Sequence, residues 1–366
     1  MKSGEELAEA LALAYPELAA VAAAAPAPVY LVGGAVRDLL LGRGRADIDL
    51  VVEGDPAALA DALGAEPLTS HSRFGTMKVE LGDEEIDIAA SRRETYVRPG
   101  ALPSVEVGAP IRTDLARRDF TVNAMAVPLA HPDRLLDPYD GMVDLDAGVL
   151  RVIHDESFVD DPTRAIRAAR YAARFGFGVE DHTRGLLLAT DLGTVTPERR
   201  ASELRRLAEE GTATRGLELL AGWGLVEPRP GGESFALARE VNRLMAAPPW
   251  SEEADRAEAI LLAALGPEVD LAWADHEEIR PSEAVHLARG HDALELVVAR
   301  AAGAAWLDDW LRWREVSLDI TGADLTAAGL SGPAIGAGLE AALAAKLDGE
   351  APTRADELRV ALATAR

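Results

Sequence analysis

Asp47 and Asp49 alternate with apolar residues in the segment DIDLVV, residues 47–52. In a β-strand, side chains two residues apart share a face, so these two carboxylates should point the same way. Adjacent carboxylates repel each other unless a cation lies between them, and hard oxygen ligands suit Mg²⁺. The pattern therefore predicts a magnesium site that bridges to the phosphates of a nucleotide.

Gly33 and Gly34 stand between a short apolar run, residues 30–32, and a helix-like run that begins at Val36. A strand that ends on two glycines, followed at once by a helix, exposes backbone N–H groups without Cβ obstruction, which suits a phosphate. Each pattern alone also occurs in ordinary turns and on solvated strands. Together and in this order, the two patterns indicate a nucleotide-binding site.

Two further segments offer candidate site residues. A predicted hairpin, strands 76–81 and 85–89, places Asp87 beside the first strand as a third carboxylate, or else as a residue that faces solvent. Arg118, in the segment ARRDFTVNAMA, lies where a polar cluster runs into a β-like apolar segment. It could reach a triphosphate with Asp119 holding it in position, or belong to a surface cluster of ion pairs.

Four arginines repeat along a helix that is predicted to begin near residue 162, with Asp161 as N-cap and Pro162 in the first position. On an ideal helix they fall within an arc of ~120°. Such a face repels itself unless an anion binds there. These residues are Arg164, Arg167, Arg170 and Arg174.

The net charge of −25 argues against a nucleic-acid partner, but the local balance differs. Between residues 164 and 206 there are nine arginines and five acidic residues, a local excess of four positive charges. Arg199 and Arg200 open a second helix in this stretch. We expect RNA to contact this region through Arg174, Arg199 and Arg200.

The remaining pattern predicts a helix over residues 4–24, a second over 56–63, and a turn-rich mobile segment over 91–110. That segment could be an active-site lid or an ordinary connection. From about residue 150 the strand pattern fades. Trp306, Trp310 and Trp313 repeat at helical spacing, which favours a core-facing stripe over a base-stacking platform.

Several classes of protein are disfavoured. The chain has no cysteine, so it has no disulfides or thiolate metal sites, and we expect a cytoplasmic protein. No signal peptide and no membrane span are expected. The pairs His154-Asp155 and His291-Asp292 suggest a metal phosphohydrolase, but the further ligands that such a fold needs at set separations are absent.

Four ordered motifs, GGAVRD with DID, RRDFTVNAMA, DDPTRAIRAAR and TPERRASEL, resemble those of class II tRNA nucleotidyltransferases. This group contains CCA-adding enzymes and bacterial poly(A) polymerases, within the polymerase β-like nucleotidyltransferase superfamily. The resemblance implies an α+β fold, with a head of mixed sheet and helices followed by an all-α neck, body and tail. The corresponding ranges are 1–149, 150–212, 213–300 and 301–366.

The resemblance also implies Mg²⁺ as cofactor, CTP and ATP as substrates, and the tRNA 3′ end as acceptor. It assigns Asp47 and Asp49 to the metal. The residues it assigns to the nucleotide are Gly34, Arg37, Arg118, Asp161, Arg164, Arg167 and Arg170. The family usually has Glu-Asp where this chain has Asp160-Asp161, so the supporting carboxylate is shorter here.

In this family a loop between the DxD and RRD segments is associated with the switch to ATP, and it is shortened in relatives that add only CC. This chain keeps a long stretch there, with Glu94 and Tyr96 among the residues that could reach a base, which favours terminal A addition. The alternatives are a CC-only enzyme, a poly(A) polymerase, or a non-catalytic RNA-binding protein, which the intact DxD disfavours. The sequence does not specify an oligomeric state.

Overall fold

The computed structural model describes residues 3–71, 75–230, 234–267 and 270–364. The chain forms two compact units, residues 1–226 and 227–366. The first unit has a mixed sheet with helices, and the described residues of the second unit form helices without strands, which confirms the predicted α+β class. The finer division into neck, body and tail stays a prediction.

Short strands make up the β-structure of the first unit. They are β1 (Val29–Val32), β2 (Ile48–Val52), β3 (Glu66–His71), β4 (Thr76–Leu81), β5 (Glu84–Ala90), β6 (Arg92–Thr95), β7 (Ser104–Val107), β8 (Ala126–Pro128), β9 (Val149–Leu150) and β10 (Gly178–Val179). The main sheet has the order β3-β4-β5-β2-β1-β8. β2 and β5 are parallel, and the other neighbours are antiparallel.

Helices of the first unit cover the sheet and continue beyond it. They are α1 (Gly4–Ala14), α2 (Leu18–Ala24), α3 (Gly34–Leu41), α4 (Pro56–Leu63), α5 (Ile111–Ala116), α6 (Gly141–Ala147), α7 (Ser157–Asp160), α8 (Thr163–Phe175), α9 (Asp181–Leu188), α10 (Pro197–Ala208) and α11 (Ala213–Gly222). α4 has the predicted bounds, with Asp55 as its N-cap.

Strand alternation separates the core from the opposite face of the sheet. Leu31, Leu50 and Ile88 lie in register on β1, β2 and β5, and all three are buried in the main core. Asp49 and Asp87 form the neighbouring register pair of β2 and β5. Because successive side chains point to opposite faces, both carboxylates lie on the side away from this core.

The N-terminal prediction of one helix over residues 4–24 is wrong. α1 ends at Ala14 and α2 begins at Leu18, with Pro16 between them. Proline lacks an N–H group and its ring crowds the preceding turn, so it interrupts a helix. Within the described ranges no single helix is long and apolar enough to cross a membrane; α1 and α2 reach that length and composition only together, across a bend of 104°.

Residues 91–110 are more regular than the predicted turn-rich segment. β6 and β7 form an antiparallel ribbon in which Glu94 pairs with Val105 and Arg92 with Val107. We call residues 92–107 the ribbon and residues 96–103 its tip. The valines at alternate positions favour strand structure. Further along, Thr121–Asn123 forms a 3-10 turn where the sequence suggested a β-like segment.

The described part of the second unit is helical. Its α-helices are α12 (Ser234–Leu244), α13 (Arg256–Leu265), α14 (Pro281–Ala288), α15 (Ala293–Ala301), α16 (Leu307–Trp313), α17 (Gly322–Ala327), α18 (Pro333–Leu347) and α19 (Arg354–Thr364). Trp306 and Trp310 are buried, as a core-facing stripe requires, whereas Trp313 is only partly buried.

Candidate functional site

Most of the predicted site residues line one cleft of about 830 Å³ in the first unit. This volume lies within the range of ligand-binding pockets. Arg200 is not among the residues that line it. The predicted residues that do are Gly33, Gly34, Arg37, Asp47, Asp49, Asp87, Arg118, Asp161, Arg164, Arg167, Arg170, Arg174 and Arg199.

The turn between β1 and α3 depends on Gly33. Its φ of +67° favours glycine, and a Cβ added there would lie 2.6 Å from Nη1 of Arg118. α3 begins at Gly34, so its first backbone N–H groups face the same region as the Arg118 guanidinium. This arrangement can bind the phosphates of a nucleotide.

Asp114, rather than Asp119, holds Arg118. Nη2 of Arg118 lies 3.2 Å from Oδ2 of Asp114, which is fully buried. Burial lowers the pKa of Arg118, and the Asp114 charge opposes that effect. The expectation that Asp119 positions Arg118 is wrong, because the Asp119 carboxylate turns toward α8 instead.

Asp47 immediately precedes β2, and Asp49 lies within it. Both line the cleft, beside Asp87 of the parallel neighbour β5. Desolvation by the surrounding cleft raises the pKa of Asp49 to about 6, although the residue stays partly exposed; Arg118 opposes the shift, and the charges of Asp87 and Asp47 add to it. The carboxylates therefore repel each other, and a divalent cation would relieve that repulsion.

Asp47 and Asp49 supply the oxygen donors that Mg²⁺ prefers, and Mg²⁺ commonly uses one or two carboxylates together with substrate phosphates. This donor set fits such an ion. Asp87 instead forms an ion pair with Lys78, in which Oδ2 lies 3.3 Å from Nζ. Among the described residues, no group of three or more acidic or histidine side chains converges as metal ligands.

The arginine face of α8 meets the RRD segment. Arg167 forms an ion pair with Asp119 at 2.6 Å, and Asp119 also accepts a hydrogen bond from Asn123 at 3.0 Å. Burial alone would raise the pKa of Asp119, but Arg167 and Asn123 hold it below its usual range. Arg164, also buried, donates to Oγ of Ser157 at 2.7 Å and to the carbonyl oxygen of Arg117 at 2.6 Å.

The start of α8 differs by one residue from the prediction. The helix begins at Thr163 with Pro162 as its N-cap, yet Asp161 still provides the capping interaction. Its Oδ1 accepts from the backbone N–H of Thr163 at 3.1 Å and from Arg199 at 3.0 Å. From the described residues, hydrogen bonds reach Oδ1 alone, so Oδ2 is available to a ligand in the cleft.

Arg37 is less accessible than a nucleotide contact would suggest. Its guanidinium donates to Asp38 at 2.8 Å and to Asn123 at 2.6 Å, and it lies 4.4 Å from the ring centroid of Phe175. Only 4% of the residue is exposed. Arg37 therefore supports the turn and α8 from beneath the cleft, while Arg170 and Arg174 lie toward its open side.

Arg199 is predicted to contact RNA, but its guanidinium binds groups of the protein instead. Nη1 donates to the carbonyl oxygen of Gly100 at 2.7 Å, and Nη2 to Asp161. Gly100 also donates its N–H to Val159 at 3.1 Å. Arg199 therefore joins the ribbon tip to Asp161, which makes Arg200 the better candidate of the two for contact with RNA.

Sequence reasoning did not identify all the residues that shape the cleft. Glu94 accepts from Arg117 at 3.0 Å and from the hydroxyl of Tyr96 at 3.0 Å. Burial and the Glu94 charge raise the pKa of Tyr96. Asn123 follows Asp119 by four residues, and Arg118 follows Asp114 by four, so spacing could have indicated both pairs. Lys78 carries no local signal. Glu94 and Tyr96 are already candidates within residues 91–110, and both line the cleft; the missed residues are Lys78, Asp114 and Asn123.

Comparison with known proteins supports this geometry. The Poly A polymerase head domain matches residues 29–151. The CC-adding tRNA nucleotidyltransferase of Deinococcus radiodurans is 35% identical over 344 residues, which is 91% of this chain and 88% of that protein. The A-adding tRNA nucleotidyltransferase of Halalkalibacterium halodurans is 43% identical over 196 residues, which is 50% of this chain.

The chain spans 45% of the length of that A-adding relative, and so less than half of it. Among solved structures, a CCA-adding enzyme in complex with ATP superposes with a TM-score of 0.81 at 27% identity. The superposition covers 98% of each chain. The similarity therefore extends beyond the cleft along nearly the full length of the chain.

The close approach of Arg118 to Gly33 can be tested by substitution of the glycine. Gly33→Ala should weaken binding of inorganic tripolyphosphate about tenfold, the equivalent of one charge-assisted hydrogen bond, because the new Cβ must displace the Arg118 guanidinium. Isothermal titration calorimetry measures this directly. Gly332→Ala is the matched control: Gly332 has a similar backbone conformation before a helix, with no atom near the added Cβ. Equal affinities in the two variants would contradict the prediction.

Proposed function

The chain belongs to the tRNA nucleotidyltransferase family, and from this premise we propose that it adds CMP and AMP, from CTP and ATP, to the 3′ end of tRNA. One observation carries the proposal. The glycine turn, the aspartate pair and the Asp161 end of α8 all line a single cleft. Phosphates, a metal ion and a base can therefore be bound together without a nucleic-acid template.

Divalent metal ions are general among nucleotidyltransferases of this kind, and we propose Mg²⁺ for this chain. Asp47 and Asp49 would hold Mg²⁺, which when bound lowers the pKa of the acceptor hydroxyl and neutralises the leaving pyrophosphate. Arg118 and the N–H groups at the start of α3 would hold the triphosphate. The 3′ oxygen bonds to the α-phosphorus as the bond to pyrophosphate breaks. Asp87 stays a candidate third carboxylate.

Asp161 and Arg164 are suited to choosing the base. Cytosine and adenine each present an amino donor beside a ring-nitrogen acceptor, whereas uracil and guanine present the reverse. Oδ2 of Asp161 can accept from the amino group, and Arg164 keeps N–H groups that its bonds to Ser157 and Arg117 do not use. U or G would leave buried polar groups unpaired, at a cost of ~1–3 kcal/mol each.

The ribbon supports addition of the terminal A. Gly100 at its tip bonds to both α7 and Arg199, and Arg199 bonds to Asp161, so movement of the tip would shift the base-binding carboxylate. Adenine is larger than cytosine, and one pocket serves both only if part of it moves. The CC-only alternative has its own support, since the CC-adding relative of Deinococcus radiodurans aligns over 91% of this chain.

An incorporation assay with each nucleotide separately tests the function. We expect Mg²⁺-dependent addition of CMP to tRNA that lacks CCA, and of AMP to tRNA that ends in CC. Asp47→Asn and Asp49→Asn should each abolish both activities, because the ion loses a ligand. Asp83→Asn, in an exposed turn, is the control and should retain them.

The outcomes separate the alternatives. Addition of C alone would identify a CC-adding enzyme, and untemplated runs of A a poly(A) polymerase. Full activity of either aspartate variant in Mg²⁺ would refute the metal assignment. No incorporation by the wild-type chain, together with tight tRNA binding, would favour a non-catalytic RNA-binding protein.

Gly100→Ala tests the role of the ribbon. Gly100 has a φ of +66°, and an added Cβ would lie 2.6 Å from the carbonyl oxygen of Thr194, so the variant should detach the tip from Arg199. We expect AMP addition to tRNA ending in CC to fall about tenfold more than CMP addition, the loss of roughly one hydrogen bond to a charged group. Separate kcat/KM values for the two reactions measure this.

Gly108→Ala, just after the ribbon, is the matched control. Gly108 also has a positive φ, of +83°, but nothing lies within 4 Å of its added Cβ. The control should therefore keep the ratio of AMP to CMP addition found in the wild type. An equal loss of both reactions in Gly100→Ala would make the ribbon a general support of the cleft.

A further inference from the structure

Lys78 is one of only three lysines in the chain, and it lines the cleft with its side chain partly exposed. It stands on β4 directly opposite Asp87 of β5. Its Nζ lies 3.3 Å from Oδ2 of Asp87 and 3.1 Å from Oε2 of Glu85, the residue two positions earlier on the same strand face. The mechanism above gives this ammonium no role.

The ammonium of Lys78 pairs with Asp87, the carboxylate that could otherwise act as a third ligand of the metal site. Asp49 and Asp87 are register partners on parallel strands, yet Asp87 pairs with Lys78. In the described part of the chain, Asp87 does not converge with Asp47 and Asp49 as a three-carboxylate set. A cation bound at those aspartates would also be repelled by the nearby ammonium.

We propose that Lys78 is a positioning residue that competes with a divalent ion for Asp87 and thereby weakens ion binding while the cleft holds no nucleotide. The inference rests on the proposed function, since it takes Asp47 and Asp49 as ion ligands. A nucleoside triphosphate brings negative charge into the cleft and offers the ammonium another partner. Ion binding is thereby coupled to substrate binding.

A purely structural role predicts something different. The pairs of Lys78 with Asp87 and Glu85 are partly exposed, and such pairs contribute little to stability. If they only joined β4 to β5, replacement of Lys78 would change stability slightly and leave ion affinity as it was. Ion affinity without nucleotide therefore distinguishes the two roles.

The test is a titration of the full chain with Mn²⁺ as probe, without nucleotide, followed by electron paramagnetic resonance of the free ion. Lys78→Met, which keeps the aliphatic stem, should bind Mn²⁺ about fivefold to tenfold more tightly, the change expected from removing one nearby charge. Lys78→Gln serves as a second neutral variant. Lys78→Arg, which keeps the charge, should stay close to the wild type.

Arg93→Met is the control for net charge. Arg93 pairs with Glu106 on the exposed side of the ribbon and is not among the residues that line the cleft. Its replacement removes the same charge and should leave Mn²⁺ affinity within about twofold of the wild type, since exposed charges are screened. Equal tightening in Arg93→Met and Lys78→Met would overturn the proposal.

Asp49→Asn separates this inference from the proposed function. If Asp49→Asn loses Mn²⁺ binding while neither neutral Lys78 variant binds more tightly, the metal site stands and the role of Lys78 is refuted. If Asp49→Asn binds Mn²⁺ like the wild type, the metal assignment fails, and the role of Lys78 fails with it. Loss in Asp49→Asn together with tightening in both neutral Lys78 variants is the result expected.

Discussion

The ion pair between Asp119 and Arg167 connects the parts of the cleft. Asp119 is almost fully buried, and besides Arg167 it binds Asn123, which in turn accepts from Arg37 beneath the glycine turn. One carboxylate thus links α8 to α3. The Arg167 side chain is 31% exposed, but the Asp119 side chain is only 2% exposed and has little water to replace a lost partner. Removal of Arg167 would leave this buried carboxylate without its counter-charge, at a cost of about 3–5 kcal/mol. The phosphate-binding turn and the base-binding helix depend on this connection for their relative position.

The chemistry of the cleft could be predicted largely from local pattern. A strand that ends on Gly33, a helix from Gly34, and aspartates two residues apart are features that neighbouring residues determine by backbone conformation and alternation. The arginine face of α8 likewise follows from helical spacing. The acidic net charge does not prevent this prediction, because the sequence already shows that arginines concentrate in one stretch.

The rest depended on contacts between distant residues. Asp114 and Arg118 are four residues apart, a spacing that could have indicated their ion pair. No local signal shows that Arg37 is buried against Phe175. The hydrogen bond from Arg199 to Gly100 joins residues 99 positions apart, so the sequence of α10 does not predict its contact with the ribbon. The prolines and glycines of residues 91–110 suggested turns, yet β6 and β7 pair across them. In each case tertiary packing selects among arrangements that the local sequence allows.

The central claim is that phosphates, metal ion and base are bound together in the cleft that Asp119 and Arg167 hold in place. A crystal structure with CTP and Mg²⁺ tests it most directly. The account predicts the triphosphate against Gly33, Gly34 and Arg118, the ion on Asp47 and Asp49, and the cytosine amino group on Oδ2 of Asp161. A nucleotide bound in this cleft with its base turned away from α8, or bound elsewhere on the chain, would contradict it.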